Sequence, residues 1–429
     1  MRVSRFEWKG EDPAGLAREL RALQPPLIDV AGQVSALIEE VRSGGDAAVL
    51  RLEERFGGTT PKQLRMPDQD LDDALESAGE VREALELAAA NISAVAESEV
   101  DADRGAEAEL PAGQVVQLRS VPVAAAGAYV PGGAAAYPST ALMTCLPARA
   151  AGVERVAVAS PPGSDGKPNS LVLAACSLAG ASEVYAIGGV QAVAALALGT
   201  ESVTPVDVVV GPGNRYVQEA KRQLFGSVGI DGIAGPSELM AVIQEGAFSI
   251  WAALDLCAQA EHGADGLLVA ASTEKGALKA LEQTIKSLVK RHDTIRDAPI
   301  ALVRVPSFEA AGELADALAP EHLELLGPDT QRLADSVRTP GCVFDGALAA
   351  TAFGDFAAGS NHVLPTGGAG RFQGPLGPGV FRRRITTVQL PEEAARALAP
   401  TVATLARAEG FPVHAESAEA RAEEDLGDR

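Results

Sequence analysis

The amino-acid sequence predicts an α/β protein built from two parallel β-sheets, with helical segments at both ends of the chain. Short apolar strands alternate with helical stretches from about residue 115 onward, and many of the links between them contain glycine. Strand, tight glycine turn and helix in succession is the pattern of right-handed βαβ units, whose strands pair in parallel. A length of 429 residues fits more than one such sheet, because single cores seldom grow this large.

The elements can be placed in order from the spacing of apolar residues, which recurs every three to four residues in helices and clusters in short runs in strands. The predicted helices cover 28–56, 70–100, 140–151, 170–179, 190–198, 216–224, 249–261, 278–291, 308–318 and most of the chain from 391. The predicted strands cover 115–129, 155–160, 183–187, 206–210, 239–243, 266–271 and 299–305.

Composition and charge exclude several classes of protein. Acidic residues number 58 against 36 lysines and arginines, so the net charge is −22 and the chain repels nucleic acid and anionic lipid. The most apolar region, 184–199, is too short and too interrupted for a membrane span, and the first ten residues do not resemble a signal peptide. The four cysteines are far apart, which predicts reduced, buried thiols and a cytoplasmic location.

The glycine turns leave the choice of cofactor open. A dinucleotide fold normally carries GxGxxG after its first strand, whereas 211–216 reads GPGNRY and lacks the third glycine. One interpretation is NAD binding without the usual phosphate loop. The other is a plain strand-to-helix turn in which glycine supplies a positive φ. A ligand of either kind is expected beyond the carboxyl ends of the strands, where these turns lie.

Four of the five histidines lie in short segments of unusual composition. Gln259 and His262 are three residues apart, so a helix would present them on one face as a pair of metal donors. The alternative is a histidine at a helix C-terminus, favoured by the helix dipole. Glu321 and His322 are adjacent after a proline, which predicts a helix start carrying either two proton-transfer groups or an ordinary acidic cap.

Two further segments combine acids, histidine and glycine. The stretch 354–362 holds Asp355 and His362 where regular structure is expected to lapse, and loops of this kind often carry sites. Glu409 and His414 flank a break between C-terminal helices. The chain has no HExxH motif and no closely spaced cysteines, which argues against zinc-protease and zinc-ribbon sites.

Taken together, these segments resemble the histidinol dehydrogenase family over residues 25 to about 421. The matching motifs are GAYVPGG at 127–133, YPS at 137–139, GGVQAVAAL at 188–196, DVVVGPGN at 207–214, AGPSE at 234–238, QAEH at 259–262, PEHLEL at 320–325, GDFAAGSNHVLPT at 354–366 and EGFPVH at 409–414.

The resemblance implies a role for each residue that matches a family motif. It implies Zn²⁺ ligands at Gln259, His262, Asp355 and His414. It implies a proton-transfer pair at Glu321 and His322. The implied substrate contacts are these six residues together with Ser237, Glu409 and the weaker candidate His362. The implied NAD contacts are Tyr129, Gln191 and Asn214.

The resemblance also implies an activity, a fold and an assembly. The activity is the four-electron, NAD-dependent oxidation of L-histidinol to L-histidine through L-histidinal, the last steps of histidine biosynthesis. The fold is two incomplete Rossmann-like domains with helical appendages. The assembly is a homodimer that shares site residues between subunits. The alternatives are a paralogue that oxidises another polar alcohol and, further away, a non-catalytic metal-binding protein.

The expected domains follow the same scheme, and nucleic acid and membranes are not expected as partners. We expect a helical arm over 1–24 and a discontinuous first domain over 25–125 and 239–375. A second, NAD-binding domain is expected over 126–238, and a helical dimerisation segment over 376–429.

Overall fold

A computed structural model describes residues 1–26, 28–103, 105–132, 136–244, 249–328 and 330–423. The last residue of the GAYVPGG motif, Gly133, and the chain after Glu423 lie outside the described residues. The chain divides into two compact units. The first comprises Met1–Ser98 and Val123–Phe381, and the second comprises Glu99–Pro122 and Arg382–Arg429.

The described residues form alternating strands and helices. The strands are β1 (Arg2–Glu7), β2 (Ala106–Glu109), β3 (Val115–Pro122), β4 (Ala125–Tyr129), β5 (Arg155–Ser160), β6 (Glu183–Ala186), β7 (Val208–Val210), β8 (Gly229–Ile230), β9 (Glu238–Ile243), β10 (Leu267–Ser272), β11 (Pro299–Arg304), β12 (His322–Leu326), β13 (Cys342–Asp345) and β14 (Arg382–Gln389). The helices are α1 (Pro13–Arg21), α2 (Ala31–Gly57), α3 (Asp68–Glu76), α4 (Glu80–Ala102), α5 (Pro138–Ala150), α6 (Ser170–Leu178), α7 (Gly189–Leu198), α8 (Arg215–Leu224), α9 (Ser249–Gln259), α10 (Lys275–Arg291), α11 (Phe308–Leu318), α12 (Gln331–Ala334), α13 (Thr351–Phe356), α14 (Glu392–Ala408) and α15 (Pro412–Glu423).

One sheet of the first unit has the strand order β1-β11-β10-β9-β12-β13, with every neighbouring pair parallel. We call it the first sheet. Its central strands are buried on both faces and mostly apolar, as parallel strands covered by helices require. Helices α1 and α11 pack on one face, and α9 and α10 pack on the other. Sandwiching between helices excludes water from both faces, so polar groups are accessible mainly at the strand ends.

The second sheet of the same unit has the order β6-β5-β4-β7-β8 and is also parallel throughout. Helices α3, α4, α5 and α6 contribute to the core on one face. Helices α2, α7 and α8 contribute to the core on the other. The two sheets confirm the predicted fold class of a two-sheet parallel α/β protein.

The second unit is small and differs in character. Strands β14, β3 and β2 form an antiparallel sheet in which β3 is central. Helices α14 and α15 pack together through small residues, Ala403, Ala406 and Ala415, and an ion pair joins Arg407 to Glu419 at 2.7 Å. The predicted break between these helices is confirmed at Gly410, whose φ is 82°.

The predicted domain boundaries need three corrections. The expected helical arm over 1–24 begins with a strand, because Arg2–Glu7 pairs along its whole length with β11 at the edge of the first sheet. Residues 30–98 pack on the second sheet instead of the first, because the apolar stripes of α2, α3 and α4 are buried there. The C-terminal segment includes a strand at 382–389, whose backbone pairs with β3.

Candidate active site at the amino edge of the first sheet

Glu321 and His322 stand at the amino end of strand β12, where the sequence predicted the start of a helix. That prediction is wrong. Helix α11 ends at Leu318, and Ala319 takes a left-handed conformation with φ 47° that turns the chain into the sheet. The five residues from His322 are all buried, and β12 lies between β9 and β13. The pair therefore lies at the edge where these parallel strands begin.

Glu321 is held by the backbone of the neighbouring strand. Its Oε2 accepts a hydrogen bond from the backbone N–H of Glu238 at 2.9 Å. Burial raises the pKa of Glu321 well above its ordinary value, and the charges of Glu238 and Asp355 act in the same direction. A carboxyl group with raised proton affinity, already anchored by one hydrogen bond, has the properties of a general base.

His322 is fixed by the other backbone group of the same residue. Its Nδ1 lies 3.2 Å from the carbonyl oxygen of Glu238, and its Nε2 lies 3.7 Å from Oδ1 of Asp355. A proton on Nδ1 that is donated to this carbonyl leaves Nε2 free to accept one. Burial lowers the pKa of His322 to about 3, so the ring is neutral at pH 7. Glu238 thus orients both members of the pair.

Three of the predicted metal ligands lie in the first unit. Gln259 is the last residue of α9, and its buried Oε1 has no hydrogen-bond partner. His262 follows in the turn after this helix, and burial lowers its pKa. Asp355 lies in the last turn of the short helix α13, where the sequence predicted no regular structure. Burial raises the pKa of Asp355 to about 6.

Electrostatic effects link His262 to the acid–imidazole pair. A positive charge on His262 is among the effects that lower the pKa of both His322 and His362, after burial. An unpartnered amide oxygen, a neutral imidazole and a carboxylate are donors that suit Zn²⁺. Their donor chemistry suits a metal ion, and their assembly into one site remains a prediction. Among the described residues, no group of three or more His, Cys, Asp or Glu side chains is assembled as a metal site.

His362 and Ser237 are the other predicted substrate contacts in the first unit. Both ring nitrogens of His362 are engaged, since Nδ1 lies 2.9 Å from the carbonyl oxygen of Asp355 and Nε2 lies 3.0 Å from Oγ1 of Thr140. This imidazole therefore fixes the end of α13. Ser237 directly precedes β9 and is partly exposed at the same sheet edge.

Glu409 and His414 lie in the second unit. Glu409 follows the last residue of α14, and His414 lies on α15 with its ring 5.4 Å from that of Phe411. Both side chains are exposed. Their participation in the site remains a prediction.

Cys342 is a residue that sequence reasoning missed. It is the first residue of β13 and pairs in register with His322. Burial raises the pKa of its thiol to about 11, and the charge of Asp355 contributes. The thiol is therefore protonated at pH 7 and is a weak nucleophile. Its position beside His322 follows from the pairing register of the sheet, which the sequence does not show.

The predicted NAD contacts gather at the carboxyl edge of the second sheet. Tyr129 ends β4, Gln191 lies in the first turn of α7, and Asn214 caps α8. Each has an internal partner. The hydroxyl of Tyr129 accepts from the N–H of Gly189 at 3.1 Å, and the side chain of Asn214 accepts from two N–H groups of α8.

Glu53 organises this edge and was also missed by sequence reasoning. It lies on α2 and is only 1% exposed. Its Oε1 accepts hydrogen bonds from the backbone N–H of Gly188 and from Nε2 of Gln191, both at 2.7 Å. A carboxylate therefore already lies at the amino end of α7. The available signal was an acidic residue on the apolar stripe of α2, next to Leu52.

The turn after β7 is held rigidly. Gly211 has φ 116°, and a Cβ there would lie 2.2 Å from the carbonyl oxygen of Tyr129, so only glycine fits. Its N–H donates to Asp231 at 2.7 Å, and its carbonyl accepts from the buried Lys221 at 3.0 Å. Lys221 and Asp231 also form a buried ion pair. The prediction that glycine supplies a positive φ in this strand-to-helix turn is therefore confirmed, and NAD binding remains a prediction.

Two parallel sheets covered by helices, with a buried carboxyl group and a neutral imidazole at one strand edge, define an α/β enzyme equipped for acid–base chemistry. The family model for histidinol dehydrogenase matches residues 24–422. The chain therefore belongs to the histidinol dehydrogenase family, and it is an oxidoreductase. No helix among the described residues is long and apolar enough to cross a membrane.

Curated relatives and a solved structure agree with this assignment. The chain is 43% identical over 401 residues to histidinol dehydrogenase of Parasynechococcus marenigrum, covering 92% of this chain and 91% of the relative. It is 42% identical over 403 residues to the enzyme of Ruegeria pomeroyi, covering 92% of each. It is similar to the crystal structure of histidinol dehydrogenase from Elizabethkingia anophelis, with a TM-score of 0.90, 27% identity and 98% of each chain covered.

Proposed function

We propose that this protein oxidises L-histidinol to L-histidine through L-histidinal, with transfer of two hydrides to two NAD molecules, in histidine biosynthesis. The observation that carries the proposal is the pair formed by Glu321 and His322, buried at one strand edge and anchored by one backbone residue. Two successive oxidations need a base for the alcohol proton and a base for water, and this pair supplies both. Family membership provides the substrate.

His322 is the base for the alcohol proton. Its Nδ1 faces the carbonyl oxygen of Glu238, so the lone pair of Nε2 is directed toward Asp355. Because the ring is neutral at pH 7, it can accept the hydroxyl proton of histidinol as the carbon-bound hydrogen leaves as hydride to NAD.

Glu321 is the base for water. The aldehyde formed in the first step has to add water before a second hydride can leave, and a carboxylate with raised proton affinity can take the water proton. Its hydrogen bond from Glu238 orients it whether or not a substrate is bound. The pair thus divides the two half-reactions between an imidazole and a carboxylate.

The proposed metal ligands are Gln259, His262, Asp355 and the partner's His414. The unpartnered Oε1 of Gln259 supports this set, because a buried polar atom with no partner is costly unless a ligand satisfies it. A bound Zn²⁺ would anchor and orient the nitrogen atoms of the substrate. The side chains of this chain then hold the hydroxyl-bearing carbon beside His322, which is a positioning effect.

NAD is proposed to bind at the carboxyl edge of the second sheet, near Tyr129, Gln191 and Asn214. The internal bonds of these side chains support a role in shaping the surface that would contact NAD. The homodimer is also a proposal, with the partner's Glu409 completing the substrate contacts. The cytoplasmic location fits the described cysteines, all of which are free thiols.

The test is an assay of NADH formation with histidinol on purified protein of measured metal content, before and after chelation. We expect turnover to stop on chelation, histidinol affinity to fall with it, and Zn²⁺ to restore both. NADH formation with another amino alcohol but not with histidinol would indicate the paralogue. Bound metal without NADH formation from any alcohol would indicate a non-catalytic metal-binding protein.

A further inference from the structure

A buried ion pair connects the N-terminal segment to the proposed catalytic pair. Arg21, the last residue of α1, places Nη1 at 2.5 Å from Oε1 of Glu238. Its Nη2 lies 3.3 Å from Oε2 of the same carboxylate and also donates to the carbonyl oxygen of Leu318, the last residue of α11. The side chain of Glu238 is 2% exposed and that of Arg21 is 23% exposed, so water screens this pair weakly.

Glu238 is the residue on which both proposed bases depend. Its N–H donates to Glu321 and its carbonyl oxygen contacts His322. Its side chain is held from two sides, by Arg21 and by the backbone N–H of Gly367 at 3.1 Å. Movement of this residue would therefore displace both bases together.

We infer that Arg21 is a positioning residue, which fixes the backbone of Glu238 and through it the orientation of Glu321 and His322. This inference rests on the proposed function for its catalytic consequence. Arg21 lies before residue 24, where the match to the family model begins, so nothing in that match assigns it a role. The planar guanidinium suits the task, because it can bind a carboxylate with two N–H groups and still donate to a carbonyl oxygen.

The experiment compares Arg21→Met with the control Arg18→Met. Arg18 lies on the same helix, is exposed, and is 3.8 Å from an exposed Asp12. We expect Arg21→Met to lower kcat for histidinol oxidation between about 10- and 100-fold, as small displacements of catalytic groups do. The KM for NAD should stay unchanged, and Arg18→Met should keep the kcat of the wild type.

A double variant covers the case in which Arg21→Met does not fold. Arg21→Met with Glu238→Gln leaves no buried charge without a partner, and we expect it to fold with kcat reduced at least about five-fold, because the anchor is still lost. Wild-type kcat in either folded variant would overturn the inference.

A spectroscopic measurement separates this inference from the proposed function. In protein labelled with ¹³C-histidine, the ring signal of His322 can be assigned with His322→Asn. We expect this signal to shift in the Arg21 variants and to stay in place in Arg18→Met, whether or not the wild type oxidises histidinol. An unshifted signal would contradict the inference, whereas an inactive wild type with a shifted signal would contradict only the proposed function.

Discussion

The two parallel sheets of the first unit carry their candidate site residues at opposite edges. In the first sheet the candidate chemistry lies at the amino ends of the strands, where Glu238 and His322 are the first residues of β9 and β12. In the second sheet the candidate cofactor groups lie at the carboxyl ends, beyond β4 and β7. Parallel α/β sheets usually bind ligands at the carboxyl edge. If the proposed sites are right, the first sheet departs from this rule and the second follows it.

The difference has a physical cause in the helices that return to each edge. Helix α9 runs back to the amino edge of the first sheet and delivers Gln259 there, and α13 brings Asp355 to the same place. The carboxyl edge of the second sheet is instead formed by glycine turns, with the amino end of α7 already bound to Glu53. One edge holds buried side chains with shifted proton affinities, whereas the other holds backbone groups braced by hydrogen bonds.

The largest effect should come from Glu321→Gln at the amino edge. This change removes the proposed base for water and keeps a side chain of the same size. We expect oxidation of histidinal to fall about 10²–10⁴-fold while oxidation of histidinol to histidinal is largely retained. The two half-reactions can be measured separately by NADH formation from each substrate. Equal losses in both would reject the division of roles between Glu321 and His322.

A smaller effect should follow Glu53→Gln at the carboxyl edge. The amide oxygen can still accept from both Gly188 and Gln191, but the two bonds lose the charge on their acceptor, so about 1 kcal/mol of bonding is lost. We expect the KM for NAD to rise about five-fold, with kcat and the KM for histidinol little changed. The control is Glu54→Gln, the exposed neighbour. An unchanged KM for NAD would contradict the proposal that this edge binds the cofactor.

The smallest effect should be on protein stability, and it concerns two buried carboxyl groups, one on β12 and one on α9. Glu324 on β12 and Asp255 on α9 form a buried carboxyl pair. Burial and the nearby Asp255 raise the pKa of Glu324 to about 10. The folded state thus holds a proton that the unfolded chain releases near its ordinary value. The stability that Glu324 contributes should therefore be fully present below that ordinary value and be lost as the pH rises toward 10.

Glu324→Gln removes this titration and should flatten the decline. We expect its midpoint of thermal unfolding, relative to that of the wild type, to be several degrees higher at pH 9 than at pH 5, since about 1 kcal/mol moves the midpoint by about 2–4 °C. Thermal melts between pH 5 and pH 9 check this, with the exposed Glu313→Gln as control. If the midpoint of thermal unfolding varied with pH in the same way in Glu324→Gln and in the wild type, the folded pair would hold no extra proton.

Some site residues could be located from sequence only as members of motifs. The segment 320–325 marked Glu321 and His322 as a unit, but its proline suggested a helix start. The five buried residues from His322 onward instead form a strand, because two neighbouring strands pair with them. Strand β1 (Arg2–Glu7) could not be predicted for the same reason, because it forms by pairing with β11. Long-range backbone pairing leaves no local signal.

Local sequence patterns determined the alternation of strands and helices, the break at Gly410 and the need for glycine at the turn after β7, because each depends on neighbouring residues. Tertiary structure alone placed the candidate catalytic pair at the amino edge of the first sheet and brought Glu238, Glu53 and Arg21 against the candidate site residues. Those contacts join residues tens to hundreds of positions apart. Their energies come from burial and paired charges, which appear only once the chain is packed.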